Sequence, residues 1–347
     1  MATSRTSAEI AASTAAVTGK PTLKTIARIS GLAVPTVSRA LSDAPDIGAE
    51  TKKLIRKIAS DIGYVPNRAG VRLRTGRTNV ISLVMSTEMD LMSHTARLIS
   101  SVAGALRDTP YHLIVTPFFP DQDPMEPVRY IVETGSADAI ILNQIRADDP
   151  RVNYMMARHF PFATHGRTDQ ASLHPYYDFD NEAFGTMAAQ RLIARGRRHI
   201  LLIPPPAAHN YAQHMIAGVS RAVQEGGVGL TISDTVSSDN KSADVVPFIL
   251  DKLTHQPEID AIIVGSTTSA MGAVSAIEQA GKTVGKEVDL FAKEAVPFLK
   301  LFRADILTLS EKIGIAGEFL AKAAIQAIRN PEAPPMQALE TPSDDPL

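Results

Sequence analysis

The sequence predicts two structural units of different class. A small all-α helix-turn-helix headpiece comes first, and a larger two-lobed α/β core with parallel sheets follows. Three observations carry this. Residues 22–63 place apolar side chains at helical spacing in three short runs. Beyond residue 79, runs of four to six Ile/Val/Leu-rich residues alternate with helix-patterned stretches, which suits strands buried on both faces. Charge is also divided: residues 20–77 hold twelve Lys/Arg against four Asp/Glu, a net of +8, and residues 78–347 hold −10. A basic module on an acidic body is the pattern of a nucleic-acid binder with a separate second function.

Composition narrows the class further. A chain of 347 residues accommodates two or three units. No apolar run approaches the roughly 18 residues a membrane span needs. The absence of cysteine excludes disulfides, thiolate nucleophiles and Cys-ligated metals. Residues 1–20 are rich in Ala, Ser and Thr without the basic and apolar regions of a signal peptide, and are expected to be a disordered extension of a cytoplasmic protein.

The headpiece is placed at residues 21–66. Thr22 can cap a helix running through Leu23, Ile26 and Ala27 to a stop at Gly31. Leu32 to Leu41 supplies a second helix. A third starts near Gly48-Ala49-Glu50 and carries Leu54, Ile55, Ile58 and Ile62 before Gly63. Two short helices across a Gly-containing turn, braced by a third, form a helix-turn-helix, which sets the front of its second helix in the DNA major groove. Pro35 fits the first turn of that helix, where backbone N–H groups have no intrahelical acceptor. Turning Val37 and Leu41 inward exposes Val34, Pro35, Thr36, Ser38 and Arg39, of which Arg39 can read a guanine edge or hold a phosphate.

Residues 67–77 are read as a hinge helix and linker, begun at or near Asn67. Leu73 lies among Arg68, Arg72 and Arg74, a setting that suits an apolar wedge at a minor-groove base step with the arginines on phosphates. The expected DNA-contacting set is Thr22, Val34, Pro35, Thr36, Ser38, Arg39, Asn67, Arg68, Leu73 and Arg74.

In the core, strands are expected at 80–85, 112–117, 139–142, 162–165, 199–204, 261–265 and 288–292, with helices at 93–107, 182–195, 213–226 and 269–281. Open α/β sheets bind ligands beyond the carboxyl ends of their strands. Reading those ends gives Ser86, Glu88 and Asp90; Asn143, Gln144 and Arg146; His165 and Arg167; Asn210, Tyr211 and His214; Ser266 and Thr267; Lys293 and Glu294; and Glu311. Amide, carboxylate, guanidinium and aromatic groups on one rim suit a polyhydroxylated ligand. Ser86, Asp90, Asn143, His165, Arg167, Asn210, Tyr211, His214, Ser266, Glu294 and Glu311 are the candidate effector contacts. Arg167 suits ligand contact or a lobe-to-lobe salt bridge. His165 suits either a structural role or ligand contact. No metal site is expected, because no His or carboxylate stands at a recognisable ligand spacing from His165.

The stretches TLKTIARISGLAVPTVSRAL, GYVPNRAGVRLRTGRT and VISLVM resemble the LacI/GalR (lactose-repressor) family of bacterial transcription regulators. The resemblance runs from Pro21 to about Glu340. It implies a periplasmic-binding-protein-like (type I) core spanning 78–347, with one lobe at about 78–178 and 310–338 and the other at about 179–309. It also implies a homodimer, a tetramer being left open, on near-palindromic double-stranded operator DNA. A small polar effector, a sugar or a derivative, would bind between the lobes and control a repressor of carbohydrate genes allosterically, most simply by relieving repression. Val34, Pro35 and Arg39 fall on the family's base-reading positions, and Leu73 on its minor-groove wedge. Ala33 stands where the family usually has a capping serine, Gly48 replaces a second serine, and Gly70-Val71 interrupts the hinge. Met215 replaces a common effector-binding arginine, and Glu294 an aspartate.

Enzyme signatures are missing: there is no Gly-x-Ser-x-Gly elbow, P-loop or Gly-x-Gly-x-x-Gly after a strand. The GKTVGK stretch at 281–286 lacks P-loop spacing and reads as a surface turn. No cofactor or membrane partner is expected. A sugar-uptake binding protein is the alternative that the core alone would allow, and the basic headpiece argues against it.

Overall fold

The computed structural model describes residues 13–14, 18–65, 72, 76–87, 94–295 and 298–343. Two compact units divide between Thr78 and Asn79.

The first unit is built on three helices, Leu23–Ser30, Val34–Leu41 and Ala49–Asp61. Thr22 starts the first through a reciprocal box: its Oγ1 accepts from the Thr25 N–H at 3.3 Å, and its own N–H donates to Thr25 Oγ1 at 3.1 Å. Gly31 ends that helix at φ 74, a left-handed conformation cheap only for glycine. The second helix has no side-chain cap at Ala33, and Pro35 sits in its first turn. Its buried side is Val37 and Ala40, with Leu41 half-buried, so the inward pair is set one residue earlier than the sequence spacing suggests. Ile26, Ile29, Ile55 and Ile58 close the small core around them.

The second unit holds two all-parallel sheets. Strands β1 (Val80–Ser86), β2 (His112–Phe118), β3 (Ala139–Leu142), β4 (Phe162–His165), β5 (Tyr176–Phe179) and β11 (Gln337–Glu340) form one, ordered β11-β5-β4-β3-β1-β2. Strands β6 (His199–Ile203), β7 (Gly229–Ile232), β8 (Ala261–Val264), β9 (Asp289–Glu294) and β10 (Leu307–Ser310) form the other, ordered β10-β9-β8-β6-β7. Helices cover both faces of each, giving separate apolar cores on either side of each sheet. This explains the unbroken Ile/Val/Leu runs in the central strands.

Two crossovers join the lobes: after β5, before the helix Asn181–Ala194, and after β10, before the helix Ile313–Arg329. The helices Asn181–Ala194 and Asn210–Gly226 pack so closely that a Cβ on Gly218 would fall 2.0 Å from the Glu182 carbonyl oxygen. Four short strands, β5, β7, β10 and β11, extend the sheets beyond the strands read from sequence. β11 lies within the Pro-rich C-terminal stretch, where the Glu340 carboxylate accepts the Tyr177 hydroxyl at 2.7 Å and the Lys312 N–H at 2.9 Å.

Candidate functional site

Two surfaces carry chemistry. On the headpiece, Thr22, Pro35 and Arg39 are exposed, and Val34, Thr36 and Ser38 are half-buried along the front of the second helix. The Arg39 guanidinium is held by the Asp46 carboxylate, so it is a pre-paired cation and not a free one. Asp43 likewise holds Lys52 at 3.1 Å and Arg56 at 2.7 Å, and these two cations pull its carboxyl below the usual range. Asn67, Arg68, Leu73 and Arg74 of the proposed hinge lie outside the described residues, as do Glu88 and Asp90 in the core.

The second surface is the cleft between the two sheets. An inner cavity of about 120 Å³ is lined from one lobe by His94, Asn143, Gln144, His165, Gly166, Asp178 and Phe179. The other lobe supplies Asn181, Pro205, Tyr211, Asp239, Gly265, Ser266, Thr267, Lys293, Glu294 and Ala295, and Glu311 contributes from the crossover after β10. A larger cavity of about 860 Å³ adjoins it, sharing Gln144 and Asp239 and including Ser86, Arg146, His209 and Lys241.

Glu311 is the centre of the inner cavity. It is buried, and Lys293 Nζ reaches its Oε2 at 2.9 Å while His165 Nε2 and His94 Nε2 lie 3.2 and 3.5 Å from its Oε1. Burial alone would raise its pKa, but Lys293 and the two histidines outweigh that and hold the carboxyl well below its ordinary value. Lys293 also donates to Asn181 Oδ1 at 3.3 Å and lies 5.0 Å from the Phe179 ring and 5.9 Å from the Tyr211 ring. Asp178, at the other crossover, behaves oppositely: burial pushes it up to about 7, although Arg167 Nε sits 3.2 Å from its Oδ2.

His94, His165 and Glu311 bring three ligand atoms within 4.8 Å of one another, so His165 does have the partners that sequence spacing failed to supply. Lys293 already neutralises that carboxylate, and a dication there would meet its ammonium group. The cluster is better fitted to hydrogen-bonding hydroxyl groups: carboxylate and amide oxygens accept, while the ammonium and imidazole N–H groups donate.

Of the candidates read from sequence, Asn143, His165, Tyr211, Ser266, Glu294 and Glu311 line the inner cavity, and Ser86 lines the outer. Arg167, Asn210 and His214 line neither. Arg167 is turned to Asp178 within its own lobe, so the ion pair it makes is not a lobe-to-lobe bridge. Asn210 is a structural tie between lobes: its Nδ2 donates to the Arg167 carbonyl at 2.8 Å, and its backbone N–H to the Ile145 carbonyl at 2.8 Å. His214 is held neutral by burial, with its Nδ1 buried and unbonded among the described residues. Ser266 and Glu294 have local duties as well. Ser266 Oγ caps the helix Thr267–Gln279, and Glu294 Oε2 accepts the Leu299 N–H at 3.0 Å. Sequence reasoning missed His94, Phe179, Asn181 and Asp239.

Comparison with known proteins matches both units of the chain. Residues 22–67 match the family model for bacterial regulatory proteins of the lacI family. Residues 86–333 match that for periplasmic binding proteins and the sugar-binding domain of the LacI family. The transcriptional regulator AglR of Rhizobium meliloti (strain 1021) is 32% identical over 325 residues, covering 91% of this chain and 90% of that protein. RafR of Escherichia coli, also a transcriptional regulator, is 30% identical over 324 residues, covering 92% and 96%. Among solved structures, the lac repressor dimer bound to operator and the anti-inducer ONPF shares the fold at TM-score 0.79 and 17% identity, covering 94% of this chain and 97% of that one. The regulator CelR in complex with cellobiose does so at TM-score 0.68 and 20% identity, covering 93% and 98%. The chain therefore belongs to the LacI family of bacterial regulatory proteins, helix-turn-helix transcription regulators with a sugar-binding domain.

Proposed function

We propose that this protein is a cytoplasmic repressor, and not an enzyme, which binds near-palindromic operator DNA as a homodimer and releases it when a neutral, polyhydroxylated effector enters the inner cavity. The observation that carries the reading is the Glu311–Lys293–His165 cluster. It joins a crossover residue to a group from each lobe, in a cavity whose donors and acceptors suit hydroxyl pairs. An effector that engages it contacts both lobes at once and so has different affinities for different lobe arrangements, which is the condition for shifting an equilibrium. CelR, bound to cellobiose, and the lac repressor, a dimer on its operator, support the effector class and the assembly. Ile114 and Val115 on the edge strand β2, and Phe298, Leu301 and Phe302 in the other lobe, are exposed apolar side chains that subunit contact would cover.

The test is fluorescence anisotropy on the full chain. A palindromic site from upstream of its own or neighbouring genes should bind with steep salt dependence and be released by a sugar. Equal affinity for that site and a scrambled duplex would overturn the proposal.

A further inference from the structure

The two cavities of the cleft adjoin, and their shared boundary is unusual. Gln144 and Asp239 line both. Gln144 is held at φ 54, a left-handed conformation that non-glycine residues adopt at a cost, and such residues gather at ligand sites. An aromatic pair spans the same boundary. Tyr211 faces the inner cavity and His209 the outer, their rings stacked at 5.2 Å with the Tyr211 hydroxyl 3.0 Å from His209 Nδ1. Burial, with Arg151 and Arg146 nearby, pulls His209 down to about 4, so its ring is neutral at physiological pH.

Size separates the two spaces. Small-molecule sites usually measure roughly 300–1,000 Å³. The inner cavity, at about 120 Å³, falls below that range, while the outer, at about 860 Å³, falls inside it. The outer lining also mixes charge signs: Arg146 and Lys241 are balanced by Asp239 and Asp244, which suits a neutral hydroxyl-rich group better than an anion. We infer that the effector is a chain of at least two linked sugar rings, one in the inner cavity and the next in the outer, with His209 selecting for the second ring. This rests on the sugar reading of the inner cavity given above.

Titration calorimetry of the full chain with matched sugars tests it: glucose against cellobiose and maltose, and galactose against melibiose. At least one disaccharide should bind about tenfold or more tightly than its own monosaccharide. His209→Ala should shrink that ratio toward one. Because the His209 ring also holds the Tyr211 hydroxyl, Lys241→Ala, at a helix N-cap whose side chain makes no capping hydrogen bond, is the second variant and should shrink the ratio in the same direction. Ratios near one in the unmodified protein, or ratios that neither variant changes, would overturn the inference and leave the sugar reading intact. Binding of none of these sugars in the millimolar range would sink both.

Discussion

The headpiece and the cleft hold their charges in opposite ways. Arg39 and Asp46 pair in the open, with 59% and 45% of their side chains exposed, and Asp43, Lys52 and Arg56 form a second surface cluster. In the cleft, Glu311 is 2% exposed and Asp178 is 4% exposed. Exposed pairs contribute about 1 kcal/mol or less and exchange partners easily. A buried charge is costly without its partner. The difference teaches where each surface can respond: the headpiece can trade Asp46 for a phosphate or guanine at little cost, whereas the cleft resists any change that leaves Glu311 uncompensated.

The largest effect should follow from removing that compensation. Lys293→Met should destabilise the core by about 3–5 kcal/mol at neutral pH, the usual cost of breaking a buried pair. The loss should narrow in acid, where Glu311 can take up a proton. Denaturant unfolding at two pH values checks this, and a loss below 1 kcal/mol at both would erase the contrast between the regions. Next, Arg39→Ala should weaken operator binding by about 1–3 kcal/mol, the worth of a guanine contact. Thermal unfolding of the core should not move. An altered core with operator binding intact would place Arg39 outside the reading surface.

The two crossover carboxylates give a third test. Asp178 titrates near 7 when folded against 3.8 ordinarily, so between about pH 4 and pH 7 the folded chain keeps a proton that the unfolded chain has lost. Its contribution to stability is complete below that window and is lost as pH rises through 7. Glu311, lowered by its partners, has the opposite sign: its contribution is present above the ordinary carboxylate range and is lost as pH falls. Asp178→Asn should therefore gain stability relative to the unmodified protein as pH rises from 4 to 7. A melting-temperature difference that stays flat over that range would contradict the assignment.

The smallest effect is on the surface. Asp46→Ala should leave headpiece stability within about 1 kcal/mol, yet strengthen DNA binding by releasing Arg39 and removing a negative charge. Weaker DNA binding in this variant would mean that Asp46 positions Arg39 for the groove.

These regions also differ in how far the sequence reveals them. The headpiece is specified locally: the Thr22 cap, the Gly31 stop and Pro35 in the first turn each act within a few residues. Only the inward pair moved, from Val37 and Leu41 to Val37 and Ala40. The cleft is assembled from distant segments, and strand ends led to Asn143, His165 and Lys293 because those strands are short, mostly apolar runs, while Glu311 follows the short apolar segment ILTL. Phe179 and Asp178 lie on YYDF and Asp239 follows GLTI, strands too short and mixed to show a period. His94 follows no strand; it opens a helix, so no strand-end rule reaches it. Arg167 does follow a strand, but its partner Asp178 lies on a neighbouring strand that the pattern did not reveal.

The central claim is that one chain couples a sugar in the buried cleft to DNA on the exposed headpiece. Measuring operator affinity with and without a saturating disaccharide, and disaccharide affinity with and without operator, tests it at fixed salt. Coupling requires both affinities to fall by the same factor, since linkage between binding sites is reciprocal. Operator affinity unchanged by a sugar that demonstrably binds would contradict the account.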